Sequence, residues 1–227
     1  NPALARSLNN LAIRLSKLGR RAKALEPAQE AVGLYRALAR AHPDAFNLAL
    51  ASSLNTLANV LSYLGRWGEA LEAAQEAVGL YRALARAHPD TFNPDLAMSL
   101  NTLAKRLSEL GRRAEALEPA QEAVALFRAL ARANPDAFNP ALARALGALG
   151  SVLAANERAA EARACFAEGI GVLTPAFLAL PEAHQPLMAG LVEGYQQLSA
   201  EQGEAPDAAL LGPVLPLLED GSEETPG

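Results

Sequence analysis

The chain repeats one pattern of apolar and polar residues three times, in stretches that begin at Ser7, Ser53 and Ser99 and are spaced by 46 residues. In each copy, apolar residues first recur at the three- and four-residue spacing of one helix face, as at Leu54 and Leu57. A second stripe of the same kind follows after a glycine and ends before a proline. Each copy is therefore predicted to form a hairpin of two helices.

Glycine, proline and asparagine mark the predicted ends of these helices. Gly65 should end the first helix of the second copy, because glycine tolerates the left-handed backbone that helix ends often need. The letters HPD at His88 should end the second helix, since a proline disfavours helix in the residue before it. Asn93 is then predicted to cap the next helix with Pro94 at its first position, and Asn139–Pro140 repeat that signal.

One hairpin cannot bury its apolar stripes alone, so the copies are predicted to stack into an all-α solenoid. A fourth copy is degenerate, and a further helix is predicted after it at about residues 185–202. Terminal repeats are usually atypical because they cap an open apolar end. The predicted divisions are repeats at 1–46, 47–92 and 93–138, a degenerate repeat at 139–181, capping helices at 182–218 and an acidic, disordered tail at 219–227.

The turn between the two helices carries a further signal, because Gly65, Glu69, Ala70 and Leu71 form the pattern G-x-x-x-E-A-L. The first copy also contains LNNLA at Leu8 in the first helix, LEPA at Leu25 near the start of the second helix and HPD at His42 at its end, and HPD recurs at His88 in the second copy. These residues resemble the tetratricopeptide repeat, and more closely its longer kinesin-light-chain type. The resemblance implies a right-handed superhelix whose first helices line a concave groove. The resemblance is much stronger evidence for the fold than for the function.

The resemblance places one row of side chains from each first helix in that groove. The predicted peptide-binding residues are Arg6, Asn9, Lys17, Asn55, Asn59, Tyr63, Met98, Asn101, Lys105 and Arg144. Asn9, Asn55 and Asn101 form a ladder with one amide in each copy, and an amide can both donate and accept hydrogen bonds. The ladder is predicted either to bind the backbone of an extended peptide or to tie each helix to its neighbour. Tyr63 and Met98 are candidate apolar anchors.

Charge narrows the range of predicted partners. The chain has 20 Lys and Arg against 25 Asp and Glu, a net charge of −5, which argues against nucleic acid because nucleic-acid binding needs a basic surface. The predicted groove is nevertheless basic, since Arg6, Lys17, Lys105 and Arg144 outnumber its one acidic residue, Glu109. The groove is therefore predicted to prefer acidic or phosphorylated protein segments, with ordinary solvated charge as the alternative.

Motifs of catalysis and metal binding are missing from the sequence. It contains no phosphate-binding loop and no HExxH, GxSxG or CxxC pattern. His42 and His88 lie one repeat apart and are interpreted as turn residues, because metal ligands must come together. Cys165 is the only cysteine and no histidine accompanies it. The chain is thus predicted not to be an enzyme and to need no cofactor or metal.

Composition also bears on where the protein acts. The sequence has no signal peptide and no run of about 18 apolar residues, so a cytoplasmic protein without a membrane partner is predicted. The single cysteine fits a reducing compartment. Composition rich in alanine and arginine resembles that of repeat arrays from GC-rich bacteria. Because the first residue is not Met and lies at a repeat boundary, we expect the chain to be cut from a longer protein.

These observations predict a non-catalytic protein–protein interaction module that binds a peptide or partner protein in its concave groove. The resemblance implies that such an array is the sensor or regulatory part of a larger bacterial signalling protein. Two alternatives stay open. One is a structural scaffold that self-associates into a homo-oligomer, and the other is the regulatory array of an enzyme whose catalytic domain lies outside this sequence.

Overall fold

The structure, a computed structural model, describes residues 1–220 apart from the side chain of Asp220. Most of the predicted acidic tail, residues 221–227, lies outside the described residues, and Glu219 belongs to the last helix. The described residues form only helices and short connections. The helices are α1 Pro2–Lys17, α2 Arg21–Ala41, α3 Pro43–Tyr63, α4 Trp67–Ala87, α5 Pro89–Glu109, α6 Arg113–Ala133, α7 Pro135–Ala155, α8 Ala159–Ala179, α9 Pro181–Glu201, α10 Ala208–Leu211 and α11 Leu215–Asp220.

The chain divides into two compact units, Asn1–Pro119 and Ala120–Gly227, and the division falls inside α6. In the first unit, α1 to α5 pack in chain order, and the first helices of the hairpins, α1, α3 and α5, also contact one another in turn. In the second unit, α7, α8 and α9 pack in the same order, and α7 contacts α9. The predicted all-α class is confirmed for residues 1–220, and within each unit consecutive helices pack in a repeating array.

Small and aliphatic side chains build the core of the first unit. One cluster extends from α1 to α4 and includes Ala12, Ala28, Leu54 and Ala74, all of them fully buried. Alanine at these positions lets neighbouring helices approach closely, while leucine fills the space between them at the density of a protein interior. The apolar stripes read from the sequence are therefore the buried faces of the helices.

The 46-residue period extends further along the chain than the sequence pattern indicated. Four first helices of 21 residues each begin with a proline, at Pro43, Pro89, Pro135 and Pro181. A left-handed residue follows each first helix, and φ lies between 61° and 73° at Gly19, Gly65, Gly111, Glu157 and Gly203. The helix α9 is thus the first helix of a fifth repeat, and it begins four residues before the predicted position.

The predicted helix starts at Asn93 and Asn139 are wrong. The helix α5 begins at Pro89 and α7 at Pro135, so Asn93–Pro94 and Asn139–Pro140 lie within helices and the predicted repeat boundaries at 47, 93 and 139 fall inside first helices. A proline at the first helical position sacrifices no hydrogen bond, because the first N–H groups of a helix have no partner within it. A single extended residue such as His88, with φ −141° and ψ 75°, is enough to separate two helices.

Exposed ion pairs join consecutive second helices at the same register in both units. Arg36 of α2 pairs with Glu76 of α4, and Arg128 of α6 pairs with Glu168 of α8. In each pair the arginine comes from the earlier hairpin and the glutamate from the later one. Exposed pairs of this kind contribute at most about 1 kcal/mol each, so their value here is to mark the register of stacking.

Two helices of the second unit, α7 and α8, are long and apolar enough to cross a membrane by length and composition. They pack against each other at the positions that the repeat assigns to them. Core helices of soluble proteins pass the same test, so the observation is weak evidence for a membrane span. The absence of a membrane partner stays a prediction.

Candidate functional site

The predicted groove residues lie on first helices and outside the core. In the first unit, six of them are exposed: Arg6, Lys17, Asn59, Tyr63, Met98 and Lys105. Asn9, Asn55 and Asn101 are partly buried, and Arg144 is exposed on α7 of the second unit. Helical geometry explains this placement, because these residues lie opposite the leucine stripe of their own helices. Whether they bind a peptide stays a prediction.

The asparagine ladder has one orientation in all three copies. Asn55 Oδ1 accepts a hydrogen bond of 3.1 Å from the Ser99 hydroxyl, which ties α3 to α5. Asn9 Oδ1 and Asn101 Oδ1 are also buried, but neither has a hydrogen-bond partner among the described residues. None of the three amide nitrogens is among the buried, unpaired atoms, and none has a partner within residues 1–220. The ladder therefore directs its oxygens into the protein and its N–H donors towards solvent.

Tyr63 and Met98 are the largest apolar side chains on this face. Tyr63 is 52 % exposed and Met98 is 54 % exposed. The guanidinium carbon of Arg21, at the start of α2, lies 4.3 Å from the centre of the Tyr63 ring. This cation–π contact fixes one side of the ring and leaves the rest of it open. Tyr63 is consequently an exposed side chain whose ring orientation is restrained by Arg21.

A buried arginine that the sequence analysis missed lies beneath this face. Arg106 of α5 is only 2 % exposed, and its Nη1 donates to the carbonyl oxygen of Ala58 at 3.3 Å. Its Nε lies 3.4 Å from Glu109 Oε2, as an ion pair without hydrogen-bond geometry. The Ser62 hydroxyl donates to the same carboxylate oxygen at 2.8 Å. Burial lowers the pKa of Arg106, and the charge of Glu109 opposes that shift.

This cluster changes the charge balance predicted for the groove. Glu109 is held by Arg106 and Ser62, so its charge is neutralised within the protein. Arg106 occupies the position of the buried Val60 in α3 and Val152 in α7. An arginine at a position that is apolar in the neighbouring copies was the signal available in the sequence.

A buried tyrosine connects the groove to the second helix of its own hairpin. Burial is the main cause that raises the pKa of Tyr81 to about 12, with a further rise from the charge of Asp95 and an opposing hydrogen bond with Ser52. Burial also raises the pKa of the Asp95 carboxyl. Ser52 is exposed on α3, whereas Tyr81 is buried. Tyr81 is neutral at physiological pH and acts here as a packing residue.

The second unit has an open cavity of about 250 Å³ between α7 and α9. Its lining includes Arg144, Gly147 and Ser151 from α7 and Pro186, Leu187 and Gly190 from α9. Gly190 has no atom within 4 Å of the place where a Cβ would stand, so the missing side chain leaves open space. The contribution of α9 escaped the sequence analysis because the copy that contains it does not resemble the first three.

Residues suited to catalysis or metal binding do not come together in the part of the chain that the structure describes. No group of three or more His, Cys, Asp or Glu side chains could hold a metal ion there. Burial is the main cause that raises the pKa of the Cys165 thiol, and Glu168 adds to the rise. A raised pKa reduces the thiolate fraction that a nucleophile needs. That the chain is not an enzyme stays a prediction.

The helical hairpins, their period and their exposed first-helix faces define a protein built from helical repeats. The sequence pattern of the tetratricopeptide repeat matches residues 4–44, 50–90 and 96–135, which together make up more than half of the chain. The chain belongs to the tetratricopeptide repeat family, as predicted. Repeats of this family generally serve as protein–protein interaction modules.

Solved structures of low sequence identity share this fold. Nearly identical TPR-like repeats of kinesin-light-chain type from Podosopora anserina match with a TM-score of 0.71 and 20 % identity over 99 % of both chains. The BtubC (BKLC) protein from P. vanneervenii matches with a TM-score of 0.63 and 17 % identity over 91 % of this chain and 77 % of that chain. The Pseudomonas aeruginosa protein pilF matches with a TM-score of 0.53 and 17 % identity, over 97 % of this chain and 86 % of that chain.

The predicted kinesin-light-chain character is thus confirmed at the level of fold. No curated protein matches the sequence. A bacterial origin stays a prediction.

Proposed function

We propose that the first-helix face of the first unit binds a protein segment that is rich in hydrogen-bond acceptors. The observation that carries this proposal is the orientation of the asparagine ladder: two amide oxygens are buried, the third accepts from Ser99, and the three N–H₂ groups have no partner among residues 1–220. Donors in a row suit the carbonyl groups of an extended backbone, or carboxylates. An interaction module that is already folded binds such a segment without a large ordering cost of its own.

Charge on the same face favours acidic or phosphorylated segments. Arg6, Lys17 and Lys105 are exposed, whereas the carboxylate of Glu109 is held by Arg106. Unpaired cations near an amide row increase the rate of encounter with anionic partners and disfavour basic ones. The exposed ring of Tyr63 and the thioether of Met98 provide apolar contact beside the polar row.

The second unit offers a separate contact surface. Arg144 stands at an open cavity that also has apolar lining from Leu187 and Pro186. That combination suits an acidic residue beside an apolar one. We assign this cavity to the same class of partner, a protein segment, and to no cofactor.

In this proposal the chain is a non-catalytic, cytoplasmic sensor or regulatory part of a larger bacterial signalling protein. The family supports interaction with proteins in general. The signalling role and the location rest on the resemblance and the composition described above. A regulatory array attached to a catalytic domain elsewhere has the same groove, so binding measurements on this chain apply to it as well. Self-association is the second candidate, and it is favoured by the exposed leucines Leu4 and Leu11 of α1 and Leu18 directly after it.

A selection from random short peptides displayed on beads, with and without enzymatic phosphorylation, tests the groove. We expect the selected peptides to be enriched in Asp, Glu or phosphorylated residues. The double variant Asn101→Ala/Lys105→Glu should bind the selected peptides at least about tenfold more weakly, because it removes a donor and reverses a charge. Binding should also weaken as salt concentration rises.

The matched control is Gln75→Ala/Arg86→Glu, which likewise removes one amide and reverses one positive charge, at exposed positions on the second helix α4. Asn101 is the better target in the ladder, because Asn55→Ala would also remove the tie to Ser99. Equal losses in the two double variants, or a selection without acidic enrichment, would refute the proposal. Circular dichroism should show unchanged helix content in both.

A further inference from the structure

The turn between α1 and α2 carries a charge that the equivalent turns of the later hairpins do not have. Its residues Arg20, Arg21 and Lys23 provide three positive charges and no negative charge, and all three are exposed. In each later hairpin a glutamate occupies the position of Lys23, at Glu69, Glu115 and Glu161. Arg20, Arg21 and Lys23 are called the α1–α2 basic turn below.

In the later hairpins this glutamate is held by an arginine three residues before it. Arg66 donates from Nε and Nη2 to the two carboxylate oxygens of Glu69, at 2.6 and 2.5 Å. The same fork of two hydrogen bonds is found in the pairs Arg112–Glu115 and Arg158–Glu161. The hydrogen bond with Arg66 is also the main cause that lowers the pKa of Glu69. The arginine at this position therefore binds a carboxylate side-on wherever the hairpin provides one.

Arg20 has the position of these arginines but lacks the carboxylate. Lys23 cannot accept a hydrogen bond from it, because an ammonium group has no acceptor. No ion pair or side-chain hydrogen bond involves Arg20 or Lys23 within residues 1–220. The acidic residue nearest in sequence, Glu26, has a counterpart in Glu72 of the second hairpin, so it does not account for the difference. The basic turn thus presents a guanidinium without the group that its counterparts bind.

Exposure of this turn is a property of its position in the hairpin. Arg66 and Glu69 have helices before and after them in the chain, yet their side chains are 38 % and 51 % exposed. The basic turn is also unfavourable for α2, because positive charges at the start of a helix oppose its dipole. The helices α4, α6 and α8 each have a glutamate in the first turn, whereas α2 has no acidic residue there. A departure from a local stability rule of this kind is typical of functional surfaces.

From the missing carboxylate we infer that the α1–α2 basic turn binds an acidic segment of a partner protein, whose carboxylate takes the position on Arg20 that Glu69 has on Arg66. Further acidic residues of the same segment are attracted by the charges of Lys23 and Arg21. Nucleic acid is a poorer partner, because the net charge of −5 repels a long polyanion. The inference does not rest on the groove proposed above, because no asparagine of the ladder takes part in it.

A fluorescein-labelled peptide of six glutamates is the probe, and its binding to the intact chain is measured by fluorescence anisotropy at low salt. We expect Lys23→Glu to weaken binding at least about fivefold, because it removes one cation and provides Arg20 with a partner inside the chain. The same variant should unfold at a slightly higher temperature, since it completes the ion pair of the later hairpins and suits the helix dipole. A loss of binding could then not be explained by unfolding. The control Arg40→Glu makes the same change of charge at an exposed position near the other end of α2 and should leave binding almost unchanged.

The reciprocal change Glu69→Lys builds a second basic turn in the second hairpin. We expect it to strengthen binding about twofold, because it releases Arg66 and adds a cation. In a chain that also carries Lys23→Glu, it should restore part of the lost binding. A combined variant that binds no better than Lys23→Glu alone would overturn the role of the arginine fork.

The remaining outcomes separate this inference from its alternatives. No binding of the peptide, or equal losses in Lys23→Glu and Arg40→Glu, would overturn it. Binding to phosphatidylserine vesicles that Lys23→Glu abolishes, without binding to the peptide, would identify a lipid surface and overturn it as well. If the groove variant Asn101→Ala/Lys105→Glu alone weakens peptide binding, the groove proposal survives and this inference fails. If Lys23→Glu alone weakens peptide binding, this inference holds whatever the outcome for the groove.

Discussion

The two units keep one backbone period with different side chains. In the first unit, successive copies repeat almost the same sequence, and glycine occupies every left-handed turn at Gly19, Gly65 and Gly111. In the second unit, Glu157 adopts the same left-handed conformation with φ of 61°. The spacing of 46 residues nevertheless persists through α9. A few features therefore hold the repeat in place: the proline that starts each first helix, the turn after it and the size of the buried residues.

The core of the second unit also contains a change in side-chain size. Phe166 of α8 occupies the position that alanine has in the earlier second helices, at Ala28, Ala74 and Ala120. Glycine at two neighbouring positions makes room for it, because a Cβ at Gly150 of α7 would lie 2.9 Å from the ring and a Cβ at Gly194 of α9 would lie 2.7 Å from it. The residue equivalent to Gly150 in the first unit is alanine, at Ala58 and Ala104. One large side chain has thus replaced a small one, and the two glycines provide part of the space that its ring occupies.

The largest effect should come from Phe166. We expect Phe166→Ala to lower the free energy of unfolding by about 3–5 kcal/mol, because it leaves a cavity in a packed site. Gly150→Ala alone should lower it by about 1–3 kcal/mol through overpacking. The double variant Phe166→Ala/Gly150→Ala should lose less unfolding free energy than the sum of the two single losses. The reason is that it restores the two alanines that the first unit has at these positions. Urea unfolding followed by circular dichroism measures this coupling, and additive losses would contradict the proposed exchange of volume.

A smaller effect should come from exchanging the turn residues of the two units. Gly65→Ala should lower the free energy of unfolding by about 1 kcal/mol, because the left-handed conformation is unfavourable for residues with a Cβ. Glu157→Gly should raise it by a similar amount, for the same reason in reverse. No atom lies within 4 Å of a Cβ at Gly65, so the backbone alone is tested. Thermal unfolding with Gly33→Ala as the control, at an open helical position, separates this effect from helix propensity.

The smallest effect concerns Asp95, which stands where the second unit has Ala141. Burial raises the pKa of Asp95 above its usual 3.8, so the folded state holds the proton more tightly than the unfolded state does. The contribution of Asp95 to the free energy of unfolding is most favourable below the unfolded pKa, where the carboxyl is protonated in both states. This contribution is lost as pH rises through the folded pKa. Asp95→Asn should therefore stabilise the protein at pH 7, and the gain should disappear at pH values below the unfolded pKa. Unfolding midpoints measured across pH 3–7 check this, and a gain that persists at the acidic end would contradict it.

Much of the fold could be predicted from the sequence, because the relevant signals are local. The stripe containing Leu54 and Leu57 identifies a buried helix face through helical periodicity alone. Gly65 and the proline after His88 similarly mark where helices end. The misplaced start at Asn93 shows the limit of such signals, since both Asn93–Pro94 and the earlier Pro89 suit a helix start.

The candidate site could be predicted only in part. Its residues lie on first helices and outside the core, as their sequence spacing indicated, whereas their role in binding stays a prediction. The direction of the Asn101 amide could not be inferred, since it depends on which groups of other helices surround the oxygen. Arg106 was missed for a related reason. Its charge suggested a surface position, whereas packing between α3 and α5 buries it beside Glu109.

The sequence by itself determined the repeat, its period, the family and the apolar stripe of each helix. Tertiary structure decided which side chains meet across helices: the Asn55–Ser99 tie, the pocket of Phe166 between two glycines and the burial of Arg106 beneath α3. The physical reason is one of distance along the chain. Helix formation and turns depend on residues within about four positions of each other, whereas each of these contacts depends on what the neighbouring helix presents, or fails to present, at that point.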